Sequence, residues 1–263
     1  MTVVGYVESL WRYPVKSMRG ESISEMFAGF SGVYGDRLFG FRSSAAPAGF
    51  PYFTGRECEQ MLLYRPRFRD PQNAARPPNQ AEAEAISPGL NPLPADLDDL
   101  AVEVETPSGE VLAVDDPELA RQLRAVAGQD HSLTLLRSER GMTDCRPISL
   151  FSLQTAKQLG DEVGIILDKR RFRANVYLDL TDASAFSENS FVGRRLRIGS
   201  KVSVAVVERD PRCKMITLDP DTARPSPEVL RNVAQNHEGM AGVYGAILVE
   251  GTLRVGDPVD VLD

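Results

Sequence analysis

Residues 194–208 read RRLRIGSKVSVAVVE. Leu196 and Ile198 alternate with arginines, Gly199-Ser200 supplies a tight turn, and Val202, Val204 and Val206 resume an every-other-residue apolar stripe. A period of two places alternate side chains on opposite faces of a strand, so two strands joined by a short turn are expected here. Strand-like segments recur at short spacing on both sides: Val3–Tyr13, Ser22–Phe27, Leu38–Ser43, Ser132–Arg137, Phe172–Leu180, Val243–Glu250 and Pro258–Leu262. Ala101–Glu105 and Glu110–Val114 flank Pro107-Ser108-Gly109, which has the residues a hairpin turn needs. Helices are few. Asp116-Pro117 opens one that runs to about Ala127 before Gly128, with Asp as cap and Pro at the first helical position. Ser152 caps a second, with Leu153, Ala156, Leu159 and Val163 on one face, and Ser226-Pro227-Glu228 opens a third. The expected fold is therefore mainly β (α+β). An N-terminal β-barrel-like domain (1–128) is followed by a C-terminal β-barrel (129–263) with a few peripheral helices, rather than a doubly wound sheet. Within the first half, 65–95 is rich in proline and alanine and reads as a loop or insertion.

The 263 residues carry a formal charge of -7, which argues against a nucleic-acid footprint but leaves room for a small anion held by a few arginines. No basic-then-apolar leader and no run long enough to span a membrane is visible, so a soluble, cytoplasmic protein is expected. Three cysteines (Cys58, Cys145 and Cys213) and two histidines form no zinc or iron–sulfur pattern. A metal bound here takes at most one thiolate from the chain.

Four short segments carry polar chemistry. In Arg171-Phe172-Arg173-Ala174-Asn175-Val176-Tyr177-Leu178-Asp179, a continuous strand would put Arg171, Arg173 and Asn175 on one face, a lattice suited to phosphate or a polar heterocycle. A solvated strand face reads the same way. In Arg209-Asp210-Pro211-Arg212-Cys213-Lys214, two cations flank a thiol and favour its thiolate, the form that attacks electrophiles and ligates soft metals. A small buried hydrophobe is the alternative, and Cys58 and Cys145 have comparable charged neighbours. Tyr13-Pro14-Val15-Lys16-Ser17 and Gly35-Asp36-Arg37 each end in a loop bearing a cation.

In chain order these segments, together with Glu188, Gly193, Ile198-Gly199, Asp219-Pro220-Asp221-Thr222 and Val255-Gly256-Asp257-Pro258, resemble the MOSC family. The likeness is to members that join an N-terminal β-barrel domain to the MOSC domain and reduce amidoximes or detoxify hydroxylaminopurines. The resemblance implies a molybdenum cofactor (Mo-molybdopterin), with Cys213 as the protein ligand to molybdenum and the catalytic residue. It also implies that Lys16, Ser17 and Arg37, with Arg171, Arg173 and Asn175, hold the pterin and its phosphate, and that Asp144 and Ser149 approach the same group. His237 and Tyr244 are possible rim residues. Ala174 departs from the proline common at that place. The implied activity is reduction of N-hydroxylated or N-oxide compounds, with electrons from a separate flavoprotein or ferredoxin. The alternatives are a sulfur-carrier or cofactor-maturation protein using Cys213, and a module that stores or delivers the pterin.

Overall fold

The computed structural model describes residues 2–47, 49–87, 90–128 and 132–262. The chain forms two compact units that interleave along the sequence: 1–11, 22–33 and 144–263 in one, 12–21 and 34–143 in the other. The boundary expected at residue 128 is therefore not where the compact units divide. The first strand belongs with the C-terminal unit, because it closes that unit's barrel.

The barrel has seven strands: β1 (Thr2–Arg12), β2 (Ile148–Ser152), β3 (Val176–Leu180), β4 (Arg195–Ile198), β5 (Val202–Pro211), β6 (Met240–Val249) and β7 (Pro258–Leu262). Their order is β3-β2-β6-β5-β4-β7-β1, and β1 pairs back onto β3 to complete the cylinder. The β4–β5 hairpin is the one quoted above, with Leu196 opposite Val204 and Ile198 opposite Val202. All pairs are antiparallel except β2–β3, which a crossover helix joins (α1, Leu153–Val163). Ser152 caps α1, accepting from the Thr155 amide at 3.1 Å.

Alternation fills the barrel. Leu150, Val176, Leu178, Leu196, Ile198, Val202, Val204, Val243 and Val259 are each fully buried in one cluster. Each contributes on the order of 1.5–3 kcal/mol by leaving water. Met26, Ala28, Val33 and Leu253, from a small sheet of Glu25–Gly29, Gly32–Val33 and Gly251–Arg254, join the same cluster. Closure demands close backbone approach at Gly5. A Cβ there would lie 2.4 Å from the Asp179 carbonyl oxygen and 2.8 Å from the Leu180 Cα. The opposite face of β2 and β3 carries Phe151 and Tyr177, which pack with Phe172, Ile216 and Ala241 beneath α1 and a second helix (α2, Pro227–Asn236).

The second unit holds two three-stranded sheets, Phe39–Ser43 with Tyr52–Phe53 and Leu133–Arg137, and Arg65–Phe68 with Val102–Glu105 and Val111–Ala113. The helix Pro117–Ala127 starts and stops as its sequence demands: Asp116 accepts from the Glu118 amide at 2.9 Å, and Gly128 is left-handed. The 65–95 stretch is not a structureless insertion. Arg65–Phe68 pairs with Val102–Glu105, residues Gln80–Ile86 are helical, and Ala74, Ala83 and Ala95 are buried. Pro66 disguised the strand; it is tolerated because Arg65–Phe68 is the edge of its sheet.

Candidate functional site

The stretch read as one strand from Phe172 is broken. Residues Lys169–Phe172 form a short 3-10 turn and only Val176–Leu180 is strand. Asp168 starts the turn by accepting from the Arg170 amide at 2.8 Å. The Tyr177 hydroxyl locks its back by donating to the Lys169 carbonyl at 2.9 Å and accepting from the Ala174 amide at 3.2 Å. The expected common face of Arg171, Arg173 and Asn175 is therefore lost. Arg171 turns inward, 6% exposed, donating to the Thr217 carbonyl at 2.5 Å and lying 3.4 Å from Asp219. Arg173 ends the turn in the left-handed conformation at φ 53 and stays partly exposed. Asn175 is 1% exposed. Its side-chain oxygen accepts from the Ser149 hydroxyl at 3.2 Å, and its Nδ2 donates to the Trp11 carbonyl at 3.3 Å.

Cys213 follows β5 and precedes a one-turn 3-10 helix, Lys214–Thr217. Its thiol is partly exposed and caps nothing. Burial pushes the thiols of Cys58 and Cys145 up, and Asp144, Glu208 and Asp210 push Cys145 further. A raised pKa disfavours the thiolate at Cys58 and at Cys145. Arg212, expected to act on the neighbouring thiol, is otherwise engaged. Its Nε donates to the Ala241 carbonyl at 2.6 Å and its Nη1 to the Phe172 carbonyl at 2.9 Å, while Nη2 lies 2.7 Å from the buried Asp210 carboxylate. Phe151 and Phe172 stack at 4.0 Å beside this guanidinium. Gly242, at φ 79, makes room for it and shifts the phase of β6, so that Ala241 packs under the helices and Val243 in the barrel.

Strand alternation then aims Tyr244 away from the barrel interior, opposite Ser149 in β2 and Glu208 in β5. Burial, reinforced by Asp210, raises the Tyr244 phenol well above its ordinary value, so it keeps its proton. Asp144 is exposed at the start of the same segment as Ser149. His237 lies elsewhere, stacked on Phe186 at 4.2 Å with Nε2 2.7 Å from Glu162. Burial alone would raise Glu162, but hydrogen bonds from Asn232, Gln158 and His237 outweigh it and hold the carboxyl below its ordinary 4.5. A depressed folded value means stability that is present above pH 4.5 and lost as pH falls through the lowered value. Glu162→Gln is expected to flatten the melting temperature between about pH 5 and 3 relative to wild type. Parallel curves for the two proteins would refute that.

The second unit gathers its own candidates around Met142. The Lys16 Nζ donates to the Met142 carbonyl at 2.8 Å, and the Met142 amide donates to the Arg37 carbonyl at 2.9 Å. Lys16 is 5% exposed and lies 4.8 Å from the Tyr52 ring centroid. Arg37 pairs with Asp36 and covers the Tyr13 ring at 4.7 Å, while Asp36 also accepts from the Tyr13 amide at 2.8 Å. Ser17 and Arg37 are both left-handed, at φ 67 and 52. Met142, whose role is carried by its backbone, offered no signal in the sequence.

Among the described residues no group of three or more His, Cys, Asp or Glu side chains is arranged to hold a metal, and no helix is long and apolar enough to cross a membrane. A family model described as the MOSC domain matches residues 137–260, and one described as the MOSC N-terminal beta barrel domain matches residues 4–76. Mitochondrial amidoxime reducing component 2 of Bos taurus is 25% identical over 283 aligned positions, covering 97% of this chain and 83% of that protein. Among solved structures, the YUAD protein from Bacillus subtilis aligns over 98% of this chain and 95% of its own at 12% identity and a TM-score of 0.48. YiiM from Geobacillus stearothermophilus aligns over 45% of this chain and 55% of its own at 17% identity and a TM-score of 0.36.

Proposed function

Because this chain carries both a MOSC N-terminal barrel domain and a MOSC domain, and so belongs to the MOSC family, we propose that it is a molybdenum-cofactor-dependent reductase of N-hydroxylated or N-oxide compounds. The observation that carries this reading is backbone strain. Seven described residues other than glycine have positive φ, and three of them are Ser17, Arg37 and Arg173. Each such residue costs on the order of 1–3 kcal/mol, and such strain concentrates where a side chain must be aimed for function. The bovine relative is named for reducing amidoximes, which are themselves N-hydroxylated.

The donor set suits the cofactor. One partly exposed thiol, with no cluster of further ligands among the described residues, matches a metal whose remaining ligands arrive with an organic group. When bound, the cofactor supplies the two-electron chemistry that breaks the substrate N–O bond; two protons are taken up and water leaves. The chain's own part is to bind and orient. Cys213 offers its thiolate. Arg173 offers a guanidinium to the phosphate, a charge-assisted contact contributing about 1.5–3 kcal/mol, and the resemblance also assigns Lys16, Ser17 and Arg37 to the cofactor. The Ser149–Asn175 pair is consumed in joining β2, β3 and β1, so it orders the site rather than reaching out of it. Asp144 and the protonated Tyr244 hydroxyl are proposed to meet polar groups of the cofactor or substrate. Arg171, turned to Thr217 and Asp219, is not proposed as a direct contact. Electrons are proposed to come from a separate flavoprotein or ferredoxin.

The test is to produce the full chain in a cofactor-competent host, measure molybdenum, and assay reduction of an N-hydroxylated base with a reduced viologen. About one molybdenum per chain with turnover is the expected result. Molybdenum-loaded protein that leaves every such base unreduced would overturn the reductase reading.

A further inference from the structure

Two nearly buried arginines connect the Cys213 turn to the Arg173 turn in opposite directions. Arg212, next to the thiol, donates to the carbonyl of Phe172, next to Arg173. Arg171, in the Arg173 turn, donates to the Thr217 carbonyl, which closes the turn that Cys213 opens. Each turn thus spends its buried arginine on the backbone of the other. Both guanidiniums are nearly sealed, the Arg212 side chain at 7% exposure and the Arg171 side chain at 6%. Asp210 and Asp219 neutralise them. A planar, permanently charged fork is suited to this task, since it bonds a fixed carbonyl and a carboxylate at once. Neither turn has an extended ladder of its own to hold it, being single 3-10 turns of four residues.

We propose that Arg171 and Arg212 form a reciprocal clamp that makes the two turns one rigid element, and that they are positioning residues setting the Cys213 thiol against the Arg173 guanidinium. A ligand that offers a soft metal at one end and an anionic group at the other needs that spacing fixed before it binds, because each loose turn would have to be ordered on binding. The clamp rests on the reading of Cys213 and Arg173 as cofactor residues, but its mechanical half does not.

The experiment uses full-length Arg171→Lys and Arg212→Lys proteins, in which charge is retained beside Asp219 and Asp210 while the fork is lost. Amide hydrogen exchange is read in protein without cofactor. Arg171→Lys is expected to speed exchange about tenfold across 213–217, and Arg212→Lys to do the same across 171–173, each loosening the turn it does not belong to. The double variant should loosen little further, as coupled partners do. Molybdenum content after production in a cofactor-competent host should fall about tenfold or more in each, as when groups that orient ligands are removed. Loosening confined to the substituted turn would overturn the clamp. Reciprocal loosening with undiminished molybdenum would overturn its positioning role. Wild-type protein that takes up no molybdenum would instead overturn the proposed function, and the exchange result would still be decided. Should Arg212→Lys fail to fold, Arg171→Lys alone reads the same cross-turn effect.

Discussion

Cys213→Ala is expected to lower turnover of N-hydroxylated substrate at least about 100-fold, roughly 2.7 kcal/mol of lost transition-state stabilisation, with the melting temperature nearly unchanged. The fold should tolerate the change because the thiol is partly exposed and makes no capping hydrogen bond at the start of its turn. Surface-near truncations without a partner usually stay within about 0.5 kcal/mol. Cys145→Ala is the matched control: it removes an exposed thiol that burial and three carboxylates keep protonated, and activity should persist. Turnover retained by Cys213→Ala with cofactor bound would reject Cys213 as the ligand. Cyanolysable sulfur on Cys213 in protein that takes up no molybdenum would point to the sulfur-carrier alternative.

Gly5→Val is expected to abolish folding or to cost more than about 3 kcal/mol, the upper range for overpacking, because no rotamer relieves the clash. The obstructing atoms, the Asp179 oxygen and Leu180 Cα, are backbone of β3, and β1 must pair with β3 for the barrel to close. A flexible side chain would yield; a hydrogen-bonded strand shifts only by giving up its register. Circular dichroism with urea denaturation measures the loss, and a variant within about 1 kcal/mol of wild type would show that closure at Gly5 is not required.

The barrel was legible because its signal is local. Leu196, Ile198, Val202, Val204 and Val206 alternate over residues adjacent in the chain, and burial on one face follows from the pleat alone. The caps at Asp116 and Ser152 were legible for the same reason, each bonding an amide two or three residues away. β2 was not foreseen: its five residues are all buried, and a short run covered on both faces has no alternation to show. The edge strand Arg65–Phe68 was hidden by Pro66.

At the candidate site, residue identities were visible and their arrangement was not. Arg171, Arg173 and Asn175 looked like one face of a strand; a cap at Asp168 and a hydroxyl from Tyr177, eight residues after its Lys169 partner, folded them into a turn and sent them three ways. Arg212 looked like a cation acting on Cys213, yet its hydrogen bonds run to Phe172 and Ala241, about forty and thirty residues distant in the chain. By itself the amino-acid sequence determined strand periodicity, helix ends and which groups were available for chemistry, since those depend on neighbours within a few residues. Only the tertiary structure decided that the Arg171 and Arg212 guanidiniums are consumed by backbone carbonyls, because buried donors take whatever carbonyls the folded chain brings to them, and that pairing has no local cause.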